Sequence, residues 1–250
     1  MENIMNQKKI SVALASYNGQ AYIAQQIESI LQNLRPQDEL WISDDGSLDN
    51  TIHILAEYQK KDARVHLCQG PGRGVKQNFA NAISHTTGDI ILLSDQDDIW
   101  ADNKVERVLE AFETSQKKLV VHDAAVVKAD GQTQLAPSFF KLRGSGAGVL
   151  KNIWKNTYIG CCMAFSASLK PLILPIPEDI EMHDQWIGVL CDQYAGGSYF
   201  LPETLLRYRR HDANASAMKH YPLGRMIKNR VNFIRNLKRV STSKAQGMEM

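Results

Sequence analysis

Asp95, Asp97 and Asp98 place three carboxylates within four positions, directly after the apolar run Ile90-Ile91-Leu92-Leu93. Carboxylates this close repel one another unless a cation lies among them, and oxygen ligands are what Mg2+ and Mn2+ prefer. A second acidic pair, Asp44-Asp45, follows the stretch Glu39 to Ser43. The chain has no G-x-x-x-x-G-K-[ST] loop, and no G-x-G-x-x-G after its first apolar stretch, so bare phosphate is not what these acids serve. A metal ion carrying phosphates, with the hydroxyls or base N–H of a nucleotide, matches what carboxylates bind. The plain alternative is an acidic loop opening the next helix, with Asp102 capping the run Val105, Val108, Leu109 and Phe112.

Four consecutive apolar residues suit a strand buried on both faces, and open α/β sheets bind ligands at the carboxyl ends of such strands. The preceding chain alternates between strand and helix patterns. Lys9 to Ala15 reads as a strand, and Ser16-Tyr17-Asn18-Gly19 leads into a helix with Tyr22, Ile23, Ile27, Ile30, Leu31 and Leu34 at helical spacing. Glu39 to Ser43 is the second strand, and Asp49 caps a helix carrying Ile52, Leu55, Ala56 and Tyr58. Val65 to Cys68, the glycine-rich loop 70–74 and a helix with Val75, Phe79, Ala82 and Ile83 repeat the unit before the strand at Asp89 to Ser94. This order predicts a doubly wound, mostly parallel sheet with right-handed crossovers, its acidic strand ends facing one crevice.

After Thr114 the regularity changes. Leu119 to His122 reads as a strand and Ala124 to Gln134 as a hairpin around Asp130-Gly131. Ser138 to Gly148 reads as a mobile, glycine-rich loop. The apolar stretch Ile159 to Phe165, a helix from Asp184 to Tyr194 and a strand pair, Gly197 to Phe200 and Thr204 to Arg209, complete a second half with a smaller sheet.

The 250 residues suffice for one large α/β domain. Cys68, Cys161, Cys162 and Cys191 lack zinc-site spacing and read as buried free thiols in a reducing compartment. Residues 1–9 are polar and no run of about eighteen apolar residues occurs, so the chain reads as cytoplasmic. The net charge of +2 conceals an asymmetry: residues 213–250 carry +7 and residues 1–212 carry −5. Leu223 to Val240 intersperses apolar and basic residues at helical spacing, which predicts a basic amphipathic helix. That helix would lie at a membrane surface on the inner face of the plasma membrane, cover the core, or form a homodimer contact.

The ordered set Ala15-Ser16-Tyr17-Asn18-Gly19, Ile42-Ser43-Asp44-Asp45-Gly46-Ser47, Gly74-Val75 with Asn78, Leu93 to Trp100, Met182-His183-Asp184 and Tyr208-Arg209-Arg210-His211 closely resembles the family 2 glycosyltransferases with a GT-A fold. The resemblance covers residues 9 to about 216 and involves six pieces in family order and at family spacing. It implies a metal-dependent, inverting transfer of a sugar from a nucleotide-sugar, in bacterial surface polysaccharide synthesis. By position it implies nucleotide contacts at Ala15, Tyr17, Asp44, Asp45, Lys76 and Asp95. It further implies Mn2+ or Mg2+ held by Asp97 and Asp95 with His211, and Asp184 as the base that takes the acceptor's proton. Many relatives carry Glu-Asp where this chain has His183-Asp184, and the Q-x-x-R-W motif of processive relatives is missing, which favours addition of a single sugar.

The resulting division is a transferase domain over 1–216, with a nucleotide-binding half 1–114 and an acceptor half 115–216, followed by a basic extension over 217–250. The expected partners are a nucleotide-sugar donor, a UDP- or dTDP-sugar, and a glycan or lipid-linked saccharide acceptor. Nucleic acid is not among them. Two rival readings are an inactive nucleotide-sugar-binding module and a receiver-like Mg2+-binding signalling domain. The receiver domain is too short to account for motifs that continue to His211.

Overall fold

The structure, a computed structural model, describes residues 7–211 and 222–247. Strands β1 (Ile10–Ser16), β2 (Glu39–Asp44), β3 (Val65–Gln69) and β4 (Ile90–Ser94) alternate with helices α1 (Ile23–Leu31), α2 (Thr51–Lys61) and α3 (Val75–His85). β1 and β4 are buried throughout, the serines Ser11, Ser16 and Ser94 included, as suits mostly apolar strands at the centre of a sheet. β1 lies parallel between β2 and β4, with Leu14 opposite both Ile42 and Ser94, and β3 pairs parallel to the outer side of β2. The chain therefore winds one way from β1 to β3 and then crosses back to β4. This reversal opens a crevice beyond the carboxyl ends of β1 and β4.

The second half continues the same sheet instead of forming a separate smaller one. β5 (Ile99–Trp100), β6 (Leu119–Lys128), β7 (Gln134–Ala136), β8 (Met163–Ser166) and β9 (Ser198–Arg210) extend it to nine strands in the order β3-β2-β1-β4-β8-β6-β9-β5, with β7 on β6. β8 joins the halves by pairing antiparallel with both β4 and β6. The expected pair at 197–200 and 204–209 is one strand. Leu201 faces His122 and Thr204 faces Asp123, so Pro202 and Glu203 form a bulge where the sequence suggests a turn.

The apolar stretch 159–165 is a 3-10 turn at Gly160–Cys162 followed by β8. Two further expectations are corrected. The loop 138–148 contains α5 (Phe139–Arg143), capped by the Ser138 hydroxyl, which accepts from the Lys141 N–H. α4 (Lys104–Ser115) and α2 begin one residue later than Asp102 and Asp49 would cap them, at Asn103 and Asn50. All four cysteines are free.

α6 (Val149–Trp154), α7 (Lys170–Ile173) and α8 (His183–Tyr194) fill the acceptor half, and α9 (Leu223–Gly247) runs along it. The boundary drawn at 216 falls outside the described residues. Phe233 of α9 is fully buried and its ring meets Trp186 of α8 edge-on at 5.7 Å. Burying one such ring contributes about 1.5–3 kcal/mol. Asn236 also donates to Asp179 at 2.7 Å. α9 is thus docked on the body, which is the packing role the sequence left as one of its options.

Candidate active site

The crevice at the β1/β4 reversal is tied together by a side chain that the sequence reading passed over. Gln96, between the two acids of the D-x-D pair, accepts from the Tyr17 N–H at 2.8 Å and donates to the Tyr17 carbonyl at 2.9 Å. The end of β1 is thereby held against the acidic loop, while the Tyr17 ring stays half exposed at the mouth. Ala15 is buried in β1 opposite Ser43.

Asp44 and Asp45 do different work. Asp44 is buried, and both its oxygens are engaged inside the loop: one accepts from the Gly46 and Ser47 N–H groups at 3.1 and 2.8 Å, the other from the Ser47 and Ser16 hydroxyls at 2.7 and 2.9 Å. Asp45 reaches across the crevice to the glycine loop, accepting from the N–H groups of Gly72 and Gly74 at 2.7 Å each. Both glycines have positive φ, 68° and 80°, which turns their N–H groups toward the carboxylate. Lys76, in the first turn of α3, donates to the Glu178 carbonyl at 2.7 Å and also to that of Ile180. This lysine couples the nucleotide-binding half to the loop that leads into α8.

At the end of β4 the three acids separate into distinct environments. Burial first, then the charges of Asp97 and Asp184, push the Asp95 carboxyl up to about 7. A Cβ on Gly160 would lie 3.6 Å from the Asp184 Cβ, and the next residue, Cys161, groups with Asp95, so the D-x-D loop and the expected base lie in one neighbourhood. Asp97 Oδ2 lies 2.8 Å from His211 Nε2, so the late histidine joins the acidic loop as anticipated. Asp98 is fully buried. Its Oδ1 accepts from the Arg209 N–H at 3.0 Å, whereas its Oδ2 has no hydrogen-bond partner among the described residues. Burial and the two neighbouring acids raise its pKa well above the carboxylate range.

Three residues that the sequence reading missed surround these acids. Lys104 is fully buried at the start of α4, donates to the Cys161 carbonyl at 3.1 Å and sits 3.9 Å over the Trp100 ring. Burial pushes its pKa down to about 8 against the pull of Asp98 and Asp95. Arg209 donates to the Asp97 carbonyl at 2.7 Å and to Ala129 and Gln25, pinning the loop from β9. The Cys161 thiol lies with the carboxylates of Asp95 and Asp98, their ligand atoms all within 4.8 Å of one another. An arginine in the Tyr-Arg-Arg-His run was visible in the sequence, but nothing in the spacing of Lys104 or Cys161 announces their positions.

The residues present fit a divalent cation. The acids are mutually repelling, one buried oxygen is orphaned, and the donors are mainly hard oxygens with an imidazole at hand. Asp97 and Asp95 with His211 would hold the ion.

Asp184 sits in the first turn of α8, where its charge interacts favourably with the helix dipole; the cap position itself belongs to Met182. Its Oδ1 accepts from Asn156 Nδ2 at 2.8 Å and from the Gln185 N–H at 2.6 Å. Burial raises its pKa, and those two hydrogen bonds with the Arg143 charge oppose the rise. His183 is buried against the Phe79 ring at 4.1 Å, and neither ring nitrogen has a hydrogen-bond partner among the described residues. Burial, reinforced by the Lys76 charge, lowers its pKa to about 3, so the ring is neutral.

With this geometry established, the family model described as Glycosyl transferase family 2 matches residues 11–171. The chain belongs to that family. It is 28% identical to an uncharacterized glycosyltransferase of Nostoc sp. over 82% of this chain and 66% of that protein. It is 26% identical to the putative teichuronic acid biosynthesis glycosyltransferase TuaG of Bacillus subtilis, covering 84% and 82%. It is 27% identical to the dTDP-rhamnosyl transferase RfbG of Shigella flexneri, covering 80% and 72%. Among solved structures it resembles S. aureus TarS 1-349 in complex with UDP-GlcNAc, with a TM-score of 0.67, 18% identity and coverage of 85% and 62%. It also resembles the mannosyltransferase PcManGT of Pyrobaculum calidifontis in complex with GDP-Man and Mn2+, with a TM-score of 0.62, 16% identity and coverage of 86% and 59%. The fold is GT-A. The chain spans just under two thirds of the Nostoc protein and of both structures.

Proposed function

We propose that the chain is a metal-dependent, inverting, non-processive glycosyltransferase. It would move one sugar from a UDP- or dTDP-sugar to a glycan acceptor carried on lipid, in surface polysaccharide synthesis. The observation that carries this reading is the convergence of Asp95, Asp97 and Asp184 on one crevice at the β1/β4 reversal. The Mn2+ in the PcManGT complex, the UDP-GlcNAc in the TarS complex and the dTDP-sugar named for the Shigella relative support the metal and the donor class.

Tyr17 offers a half-exposed ring for the nucleotide base at the end of β1. Asp45 and Lys76 shape the wall around it, and Asp44 acts through the loop that it folds. A divalent ion held by Asp97, Asp95 and His211 would stabilise negative charge as the nucleoside diphosphate departs. Asp184 is buried with a raised pKa and held by Asn156, and its carboxylate is suited to accept a proton from an acceptor hydroxyl. Attack from the side opposite the leaving group inverts the anomeric carbon.

The test is a screen of UDP- and dTDP-sugars with Mn2+, reading which nucleoside diphosphate is released, alongside calorimetry with UDP and dTDP. Release from one donor that stops on adding EDTA is expected. Failure of every nucleotide to bind in the presence of Mn2+ would overturn the reading.

A further inference from the structure

α9 docks through one side only. Phe233, Leu237 and Val240 turn toward the body, while Leu223, Ile227, Val231 and Ile234, at intervals of four, four and three residues, form a second apolar stripe 41 to 71% exposed. The stripe does not stand alone. Arg230, on the edge between the two faces, donates to the Trp154 carbonyl at 2.6 Å through Nη2 and lays its guanidinium 4.4 Å over the Trp154 ring. α6 is thereby fastened beside the stripe. Its two largest apolar side chains, Leu150 and Trp154, are 84 and 71% exposed, although most of the protein's large apolar side chains are buried. Six large apolar side chains from two elements so join in one surface, and such a patch marks an interaction site.

Its charge decides what covers it. Neither 149–156 nor 222–247 contains an acidic residue, and α9 carries Arg225, Lys228, Arg230, Lys238 and Arg239, besides Arg235, which pairs with Asp179 of the body. A second copy seated by two-fold symmetry would set these cations against their own equivalents, and the core of a protein interface is depleted of charge. An anionic bilayer satisfies both features. Apolar side chains enter the boundary between headgroups and acyl chains, indole favours that boundary, and lysine and arginine meet the anionic headgroups.

We propose that Leu150 and Trp154 of α6, with the exposed stripe of α9, form one surface that docks on an anionic lipid bilayer and turns the Asp184 crevice toward acceptors carried there. The link to the crevice is short. Asn156, two residues beyond Trp154, is the side chain that donates to Asp184. The orientation of the crevice rests on the transferase reading above, whereas the docking itself does not.

The test is flotation of the full-length protein, without donor, on vesicles of phosphatidylcholine with or without phosphatidylglycerol, followed by sedimentation to read oligomeric state. Co-flotation with the phosphatidylglycerol vesicles at low salt, weakened by added salt and absent with phosphatidylcholine alone, is expected. The double variant Ile227→Ser with Val231→Ser, and separately Trp154→Ser, should each lower the partition roughly tenfold or more while UDP binding and melting temperature hold. A protein that stays with the soluble fraction at low salt overturns the proposal, as does a dimer that the double variant dissolves. Flotation of Trp154→Ser equal to the parent overturns the shared surface and returns the contact to α9 alone. Loss of UDP binding in the parent protein would count against the transferase reading and leave the flotation result standing.

Discussion

The end of β4 and the start of α8 both bury carboxylates in the same crevice, yet they are built on opposite principles. Asp95, Asp97 and Asp98 crowd one another, with His211 beside Asp97 and with Lys104 and Arg209 behind, and one buried oxygen of Asp98 finds no hydrogen-bond partner among the described residues. Around Asp184 the partners are neutral donors, Asn156 and the Gln185 N–H, with Arg143 as the nearest opposite charge. The first arrangement suits a cation, because only a multivalent positive charge satisfies several acids at once. The second suits a proton, because a single raised carboxylate held in one orientation can accept and release it. On the proposed reading, the acidic loop serves cation binding and Asp184 serves proton transfer.

The largest effect expected from breaking this division is at Asp184. Asp184→Asn keeps the Asn156 contact in size but removes the base, so transfer should fall by about a hundredfold or more while calorimetry shows donor-nucleotide affinity unchanged. Near parental turnover would reduce Asp184 to a residue that merely opens a helix.

Asp97→Ala should act on the other site alone. In the parent protein Mn2+ should raise the melting temperature, since a ligand that binds only the folded state stabilises it by mass action. At millimolar Mn2+ the variant should lose most of that rise. An equal rise in parent and variant would remove Asp97 from the metal site.

Asn156→Ala sharpens the comparison with a smaller effect. Asn156 donates to the charged form of Asp184, so its loss should raise the Asp184 pKa further. The group must be ionised to act as a base, and its activity is lost as pH falls through its pKa. The acid limb of the rate profile should therefore move to higher pH, with a loss of roughly tenfold or less below it and near parental rates well above it. A uniform loss at every pH would instead mean that Asn156 positions the acceptor.

The regular half was largely legible before folding was considered. β1 to β4 and α1 to α3 follow from period and from mostly apolar runs, because a strand buried on both faces favours apolar residues and admits a polar one, such as Ser11, only with a hydrogen-bond partner. The irregular half was less so. β9 looked like two strands because Pro202 and Glu203 resemble a turn, and only pairing with β6 shows that they bulge from one.

By itself, the sequence determined that acids end two parallel strands, that a further acid begins a late helix, and that the C-terminal segment is cationic and amphipathic. Those properties are local, set by residue type and by spacing along one element. Only tertiary structure decided that Asp44 also accepts from the Ser16 hydroxyl of β1, that Gln96 joins the acidic loop to Tyr17, and that Lys104 and Cys161 stand behind Asp95 and Asp98. It also decided that α9 is both docked through Phe233 and exposed along Ile227 and Val231, beside Trp154. Hydrogen bonds and packing between residues tens to more than a hundred positions apart depend on how the elements close on one another, which no single stretch of sequence encodes.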